Sequence, residues 1–398
     1  MKNPQIAALP AASPVSGGKE FAFSVNEVRL SRRHWLMAVV IFGACILLTP
    51  RLWVWVEHFD TGQPDFRIPY QLSKDYWLYN RRINQVAAPG KIVLLGDSVV
   101  WGEYVLRNGT LSHFLNQNTG GTDRFVNGGL NGLFPLAQEG LLEYFSRSLQ
   151  GQKVILHCNV LWMTSPKADL SSSKEEQFNH SRLVPQFYPR IPCYRADANE
   201  RLSAIIERNV SFISWVGHLQ TAYFEQKSIP GWTLADDGTS PPAYPNAWKN
   251  PLAQITCVVP TEPSQDPQRG PASPRHKPWF SDAQGPTRFD WVSLEQSLQW
   301  QAFQRVVHIL QHRRNDVLVV LGPFNEHMID RENQVAYQQL RAEIVAWLHS
   351  NTVPTVLPDT LPSALYADAS HPLTEGYQLL AKRICEDPVF QTWFHNAK

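Results

Sequence analysis

One uncharged, apolar run near the N-terminus constrains this chain more than any other feature. The run extends from Trp35 to Pro50 without a charge, and after Arg51 it resumes as far as Val56, so that 22 residues form the stretch. A helix of this length spans about 33 Å, which matches a hydrocarbon core of about 30 Å. We therefore expect a transmembrane helix over residues 34–56.

The charges and aromatic residues beside this run predict how it sits in the membrane. Arg29, Arg32 and Arg33 lie directly before it, and an excess of Lys and Arg is typical of the cytoplasmic flank. We expect residues 1–33 to be a cytoplasmic tail. Everything after residue 56 is then exported, to the periplasm or the extracellular space, as the main part of a single-pass membrane protein.

Cleavage of the run as a signal peptide, or its lipidation, is the alternative. A leader of 33 residues before the run is long for a signal peptide, and no A-x-A site follows the run. The sequence FGAC at 42–45 is a poor lipidation site because apolar residues continue beyond Cys45. These observations favour an uncleaved anchor.

Charge and cysteine content exclude several classes of function. The 36 Lys and Arg residues balance 35 Asp and Glu residues, so no basic surplus is available to bind nucleic acid. The five cysteines lack metal-binding spacing, and His308 and His312 have no third ligand. We expect neither a metal nor a cofactor. Cys193 and Cys257 are either a disulfide pair or two free thiols.

After residue 90 the chain alternates between short apolar strands and amphipathic helices. The predicted strands cover residues 91–96, 124–129, 153–159, 316–325 and 355–357. The predicted helices cover residues 111–118, 136–149, 294–314, 331–350 and 374–385. Such alternation is typical of a parallel sheet with helices on both faces. We predict an α/β fold of three α/β/α layers around a five-stranded parallel sheet.

Two segments fall outside this alternation. Residues 57–90 are mixed and aromatic, and we expect a collar or short helix that leads into the main domain at 91–398. Residues 163–293 form an insertion between the third and fourth strands, with a helix predicted over 199–226. Its second half, 230–290, holds twelve of the thirty prolines and is predicted to be irregular or partly disordered.

Polar residues follow the ends of the predicted strands. Because parallel strands end at the same edge of a sheet, ligands bind outside those ends, and we expect these side chains to converge. They are Gly96-Asp97-Ser98, the segment 127–132, Asn159, Gly322-Pro323-Phe324-Asn325-Glu326-His327, and Asp368 to His371. A serine, a histidine, an aspartate, an asparagine and several glycines are the groups that acyl transfer requires.

These blocks resemble those of the SGNH (GDSL-type) superfamily of esterases and O-acyltransferases. The resemblance covers GDSVVWG at 96–102, NGGLNG at 127–132, HCN at 157–159 and DASH at 368–371, in the family's order. It implies a flavodoxin-like α/β/α fold. This chain departs from the pattern in having Val99 for Leu, and His157 and Val160 for the Gly and Asp of the third block, which leaves Asn159 alone there.

The resemblance assigns a role to three side chains. Ser98 is the nucleophile, His371 is the base that takes its proton, and Asp368 orients and stabilises the imidazolium. The non-catalytic alternatives are that Ser98 caps the helix after the first strand and that His371 is a surface loop residue. The joint presence of GDS and DASH favours the catalytic interpretation.

The resemblance also implies an oxyanion hole. Its donors are the N–H groups of Ser98 and Gly132 and the side chain of Asn159. Gly129 competes with Gly132 for this role, and Asn159 is alternatively a turn former.

The block after the fourth strand is ambiguous. Asn325, Glu326 and His327 either line the cleft as substrate contacts or begin a helix.

The resemblance and the anchor together imply a membrane-anchored, exported serine esterase or O-acyltransferase. Its expected substrate carries a short acyl group, such as acetyl, on a small molecule or a cell-surface polysaccharide. The membrane and a membrane-bound acyl-donor protein are the other expected partners. The alternatives are a lipid or carboxyl esterase and, in another class, a non-catalytic glycan-binding or assembly subunit that keeps the fold.

Overall fold

The computed structural model describes residues 31–63, 65–121, 123–234, 249–263, 265–282 and 285–396. The chain divides into two units, Met1–Leu48 and Thr49–Lys398. Helix α1 (Arg32–Val56) begins in the first unit and ends in the second. The predicted cytoplasmic tail lies outside the described residues up to residue 30.

Helix α1 has the length and composition of a membrane-spanning helix. Its 25 residues rise about 38 Å. Its apolar side chains are largely exposed, as Phe42 illustrates with 67% of its surface accessible. The helix is therefore long and apolar enough to cross a membrane.

The second unit is built on one parallel sheet. Its strands are β1 (Ile92–Leu95), β2 (Phe125–Asn127), β3 (Lys153–Cys158), β4 (Asp316–Leu321) and β5 (Thr355–Val356). They lie in the order β2-β1-β3-β4-β5, and every pairing is parallel. The α/β class and the five-stranded parallel sheet predicted from the sequence are confirmed.

The other helices connect and flank these strands. They are α2 (Tyr76–Val86), α3 (Ser98–Trp101), α4 (Leu111–Asn118), α5 (Pro135–Phe145), α6 (Ala198–Asn209), α7 (Ser211–Tyr223), α8 (Ile229–Thr233), α9 (Pro251–Gln254), α10 (Leu298–His312), α11 (Gln334–Ser350), α12 (Thr374–Glu386) and α13 (Pro388–His395). Most predicted helices occur close to their expected positions.

Side chains of the strands alternate between two hydrophobic clusters. In β1, Val93 and Leu95 belong to one cluster, which also receives side chains from α5, α10 and α11. Ile92 and Leu94 belong to the other, which receives side chains from α4, α12 and α13. Because both faces of the strands are buried, their sequences are continuous apolar runs rather than alternating ones.

The helix predicted over residues 199–226 is two helices, α6 and α7. Val210 separates them with an extended backbone, at φ −115° and ψ 102°. Asn209 and Val210 both have weak helix propensity, and the break lets α6 and α7 pack against each other.

Residues 57–90, predicted as a collar, are built into the core. Leu78 and Ile83 of α2 are fully buried, and α2 contacts both α5 and α7. The hydroxyl of Tyr79 donates to the carbonyl oxygen of Gly128 over 2.9 Å. This segment therefore supports the backbone directly after β2.

After α8, the described part of the insertion at 163–293 has little regular structure. Residues 235–248 lie outside the described part of the chain, as do 264, 283 and 284. In the described part of 250–290, the regular elements are α9 and a 3₁₀ turn at Trp279–Asp282. Trp279 is buried, and its backbone N–H donates to the carbonyl oxygen of Tyr366 over 2.9 Å.

A buried ion pair ties this insertion to the helix that follows β1. The guanidinium of Arg67 donates to both carboxylate oxygens of Glu262, over 2.8 and 2.7 Å. It also donates to the carbonyl oxygens of Trp101, Gly102 and Val105. Both charged side chains are buried, and they satisfy each other where water is excluded.

The five cysteines are all free thiols. Cys193 is buried and Cys257 is partly buried, and they are not joined, so the disulfide alternative is wrong in this structure. Cys158, the last residue of β3, is buried in the sheet, as its place in an apolar strand predicts.

We predict that Glu262→Ala destabilises the protein by about 3–5 kcal/mol, because it leaves the buried charge of Arg67 without compensation. The matched control is Glu386→Ala, which removes an exposed partner of Lys382 on α12 and should change the free energy of unfolding by less than about 1 kcal/mol. Thermal unfolding of the detergent-solubilised protein measures both. Equal small effects would contradict the importance of the buried pair.

Candidate active site

The order of the strands creates a crevice at the carboxyl ends of β1 and β3. The chain passes from β1 to β2 on one side and then returns to β3 on the other side of β1. The connections that leave these ends diverge, and a crevice opens between them. Ser98 follows β1, and Asn159 follows β3.

Ser98 is the first residue of α3 and faces a histidine. Its Oγ lies 2.8 Å from Nε2 of His371. The residue that caps α3 is Asp97, whose side chain accepts from the backbone N–H of Val99 over 2.9 Å. The alternative that Ser98 is only a helix cap is therefore wrong.

His371 is held from its other side by Asp368. The carboxylate oxygens of Asp368 lie 2.8 and 2.7 Å from Nδ1 of His371. The backbone N–H groups of Ser370 and His371 also donate to Asp368, each over 2.9 Å. Because an ionised carboxylate only accepts, Nδ1 carries the proton, and Nε2 of the neutral ring is left to accept from Ser98. His371 is buried and is not a surface loop residue.

The charges of this pair shift both pKa values. Burial lowers the pKa of His371, but the Asp368 carboxylate outweighs burial and raises it to about 8. Burial raises the pKa of Asp368, but His371 and the two backbone N–H groups outweigh it and lower it below its usual range. The pair is therefore arranged to stabilise a protonated imidazole beside Ser98.

The backbone N–H groups at and near Ser98 differ in whether they already donate a hydrogen bond within the protein. The N–H of Gly129 donates to the side chain of Asn127 over 3.0 Å, so it is not free for another acceptor. The N–H groups of Ser98 and Gly132 have no acceptor among the described residues. Gly132 has φ +70°, and a side chain there would meet Asn179 at 2.6 Å. This favours Gly132 over Gly129 as an anion donor.

Asn159 is buried and is held by Asp97. Its side-chain N–H₂ donates to Asp97 over 2.7 Å, and its side-chain oxygen accepts from the backbone of Leu161 over 3.0 Å. The turn-forming alternative is thus correct for its oxygen. An amide nitrogen carries two hydrogens, so one remains for the crevice.

Asp97 lies at the centre of a buried polar group beneath Ser98. Nδ1 of His157 is 3.2 Å from Oδ1 of Asp97. Burial raises the pKa of Asp97, but His157 and the Asn159 amide outweigh it and lower that pKa. His157 and Asn159 therefore both favour the ionised form of Asp97, which accepts from the Asn159 amide.

Of the residues Asn325, Glu326 and His327, which follow β4, only Asn325 lies at the site. Asn325 is buried, and its amide donates to the carbonyl oxygen of Asp368 over 3.1 Å. Glu326 instead contacts Tyr337, and His327 lies 3.0 Å from the carbonyl oxygen of Leu361. The structure brings Asn325 to the site as a support for the Asp368 loop and directs Glu326 and His327 elsewhere.

A cleft of ≈ 560 Å³ opens beside Asp368. Its lining is mostly polar or charged and comes from the loop after α3, the insertion and the segment before His371. The lining residues are Glu103, Tyr104, Pro274, Arg275, Lys277, Pro278, Trp279, Asp282, Ala367 and Asp368.

Tyr104 connects this cleft to the histidine. Its ring lies edge-on to the His371 ring, with the centroids 5.5 Å apart. Its φ of +64° is a left-handed conformation that side chains rarely adopt.

Several residues around the site carry no signal in the sequence. Arg67 stands alone in an apolar stretch, and nothing local predicts that it holds the turn after α3. Tyr104 and Arg275 line the cleft although they are 171 residues apart in the sequence. Among the described residues, no group of three or more His, Cys, Asp or Glu side chains is placed to hold a metal ion.

Comparison of the chain with protein-family models finds no match. Comparison with curated proteins finds none either.

We predict that Asp368→Asn costs more stability at pH 6 than at pH 9. The raised pKa of His371 gives a stabilisation that is complete below pH 6.5 and is lost as the pH rises through about 8, which amounts to about 2 kcal/mol. The variant lacks the carboxylate that provides it. Thermal unfolding of both proteins across this pH range measures the difference, and a constant difference would contradict the pairing.

Proposed function

We propose that this protein is a membrane-anchored, exported serine esterase or O-acyltransferase of the SGNH type. The observation that carries the proposal is the continuous line of contacts from Ser98 through His371 to Asp368, at 2.8 and 2.7 Å. Three side chains so ordered are the machinery of nucleophilic acyl transfer.

The fold is consistent with this assignment. The strand order β2-β1-β3-β4-β5 is the flavodoxin-like order, and two hydrophobic clusters receive the two sets of strand side chains. We infer that the second unit is the three-layer α/β/α domain of the SGNH superfamily. Its blocks at 96–102, 127–132, 157–159 and 368–371 then lie at one edge of the sheet.

In the first step, Ser98 Oγ bonds to the carbonyl carbon of the ester while Nε2 of His371 takes the hydroxyl proton. The carbonyl π electrons move to its oxygen, which becomes an oxyanion. When this tetrahedral intermediate collapses, the bond to the leaving alcohol breaks and the alcohol takes the proton from His371. An acyl-Ser98 intermediate remains.

The oxyanion would be stabilised by three donors. They are the N–H groups of Ser98 and Gly132 and the second hydrogen of the Asn159 amide. Because Asp97 accepts the other hydrogen of the Asn159 amide, the amide does not have to reorient when negative charge develops on the oxyanion.

In the second step, an acceptor hydroxyl attacks the acyl-Ser98 carbonyl carbon while Nε2 of His371 takes its proton. The bond between the acyl carbon and Ser98 Oγ then breaks, and Ser98 takes the proton from His371, which restores the free enzyme. Water as acceptor gives hydrolysis, and a sugar hydroxyl gives transfer. In the transfer reaction, a membrane-bound acyl-donor protein is the partner that fits an anchored enzyme. Neither step requires a cofactor.

The cleft favours a polar substrate over a lipid. Its described lining has no Leu, Ile, Val or Phe side chain that would bind a long acyl chain. Charged and aromatic groups such as Arg275 and Tyr104 suit a sugar unit that carries a short acyl group. We therefore favour an acetylated cell-surface polysaccharide as substrate and consider a lipid esterase less suited to this cleft.

The anchor places the enzyme at the membrane surface. With Arg29, Arg32 and Arg33 before the apolar run, the positive-inside rule gives a cytoplasmic N-terminus. The Ser98 site is then in the periplasm or outside the cell.

The test compares variants on nitrophenyl esters. The full-length protein should release nitrophenol from the acetyl ester faster than from a long-chain ester, with or without a sugar acceptor. Ser98→Ala and His371→Ala should each abolish turnover to a similar extent, because nucleophile and base act as one unit, and Asp368→Asn should retain more activity.

The matched control is Ser370→Ala, which removes a neighbouring hydroxyl that has no hydrogen-bond partner among the described residues and should leave turnover unchanged. Mass spectrometry should detect an acyl group on Ser98. If no ester gave an acyl-enzyme, the proposal would fail in favour of a non-catalytic glycan-binding subunit.

We predict that Asn159→Ala lowers kcat by about 100-fold or more while KM stays near the wild-type value, because the amide acts on the oxyanion and not on the ground-state carbonyl. Steady-state kinetics with the acetyl ester measure both constants. Full activity in this variant, with Ser98→Ala inactive, would leave the acyl chemistry intact but remove Asn159 from the oxyanion hole.

A further inference from the structure

Helix α7 of the insertion packs against the last turns of α1. The rings of Trp53 and Trp215 contact each other edge-on, with centroids 5.6 Å apart. Both belong to a small hydrophobic cluster with Leu219 and Tyr223 of α7. The insertion is thus joined to the part of α1 that leaves the membrane.

The contacts show the direction in which α7 runs. Trp53 meets Trp215, and four residues further along the chain Glu57 meets His218 over 2.8 Å and Tyr223. Both chains therefore advance in the same direction, and the start of α7 extends back along α1 beyond Trp53. Val210 is five residues before Trp215, which at 1.5 Å per residue is about 7.5 Å along the axis of α7.

A buried ionic cluster makes this arrangement rigid. His218 lies between two carboxylates, 2.8 Å from Glu57 and 2.6 Å from Asp75. Arg81 donates to Glu57 over 2.7 Å and to the carbonyl oxygen of Val54 over 3.0 Å. These four charged side chains are almost fully buried, so they hold α7 in a fixed position relative to the end of α1.

The corner between α6 and α7, residues 209–213, is uncharged and partly accessible. No residue from Asn209 to Gly217 carries a charge. Val210 is 37% exposed and Ile213 is 38% exposed. On α1, Leu52, the residue before Trp53, is 54% exposed.

We propose that the α6–α7 corner, residues 209–213, inserts into the headgroup and acyl-chain boundary of the same bilayer that α1 crosses. An uncharged apolar element inserted 5–10 Å deep is typical of interfacial helices. The corner extends toward the membrane-spanning part of α1 by a distance of this size. The inference rests on α1 as an uncleaved anchor and is independent of the chemistry at Ser98.

Lipid is the occupant that the contacts favour. The corner is continuous with the surface of α1 around Trp53, and side chains on both sides of that contact are apolar and exposed. The insertion then gives the exported domain a second membrane contact beside its anchor, which restricts its rotation about α1.

The experiment places an environment-sensitive fluorophore at the corner of the full-length protein. The background is Cys45→Ala with Cys257→Ser, which leaves the three buried cysteines, and the label is attached at Ile213→Cys. The protein is reconstituted in phosphatidylcholine vesicles with and without brominated acyl chains. We expect a blue-shifted emission, quenching by the brominated lipid and protection from aqueous iodide.

The matched control is Val335→Cys, an aliphatic position near the start of α11 that is 77% exposed. Its label should emit as in water and be quenched by iodide alone. Circular dichroism and thermal unfolding test whether both labelled proteins are folded. If the Ile213→Cys protein does not fold, Val210→Cys provides a second labelling site at the corner. Iodide quenching at the corner would overturn the proposal. Protection from iodide without quenching by brominated lipid would also overturn it, since a protein partner would then cover the corner.

Discussion

Parallel pairing of β1 with β2 on one side and with β3 on the other is the constraint on which the site depends. It brings the ends of β1 and β3 to one edge, with Leu95 paired to Leu156. The connections leaving that edge diverge, and the crevice between them receives Ser98 from one strand and Asn159 from the next. His371 arrives from a loop 273 residues along the chain and closes the arrangement.

Buried charges do the positioning around this edge. Asp97 caps α3 and holds Asn159, so one carboxylate orients both the helix that carries Ser98 and the amide from the neighbouring strand. Arg67 holds the carbonyl groups at the end of α3 and is neutralised by Glu262 from the insertion. Each group is buried and satisfied, and such polar networks favour a single arrangement over many.

The insertion contributes to two separate parts of the second unit. Near its end, residues 274–282 contribute Arg275 and Trp279 to the cleft beside Asp368. In its first half, α7 packs on the last turns of α1 through Trp215 and the buried His218. In its second half, the described residues are held by contacts with the rest of the unit, such as the hydrogen bond from the Trp279 N–H to Tyr366, more than by regular structure.

Local sequence determined the long apolar helix α1, the five strands and most helices, because each follows from a hydrophobic period or an apolar run within a few residues. The GDS and DASH blocks likewise indicated which side chains converge, since residues at the ends of parallel strands share an edge. Tertiary structure alone decided that Val210 divides one predicted helix, that Glu326 contacts Tyr337 and His327 contacts Leu361, and that Arg67 binds Glu262. These outcomes depend on which segments, distant in the sequence, meet in the fold. The free energy of burying a charge or a helix break is set by the groups that pack against it and not by its neighbours in the sequence.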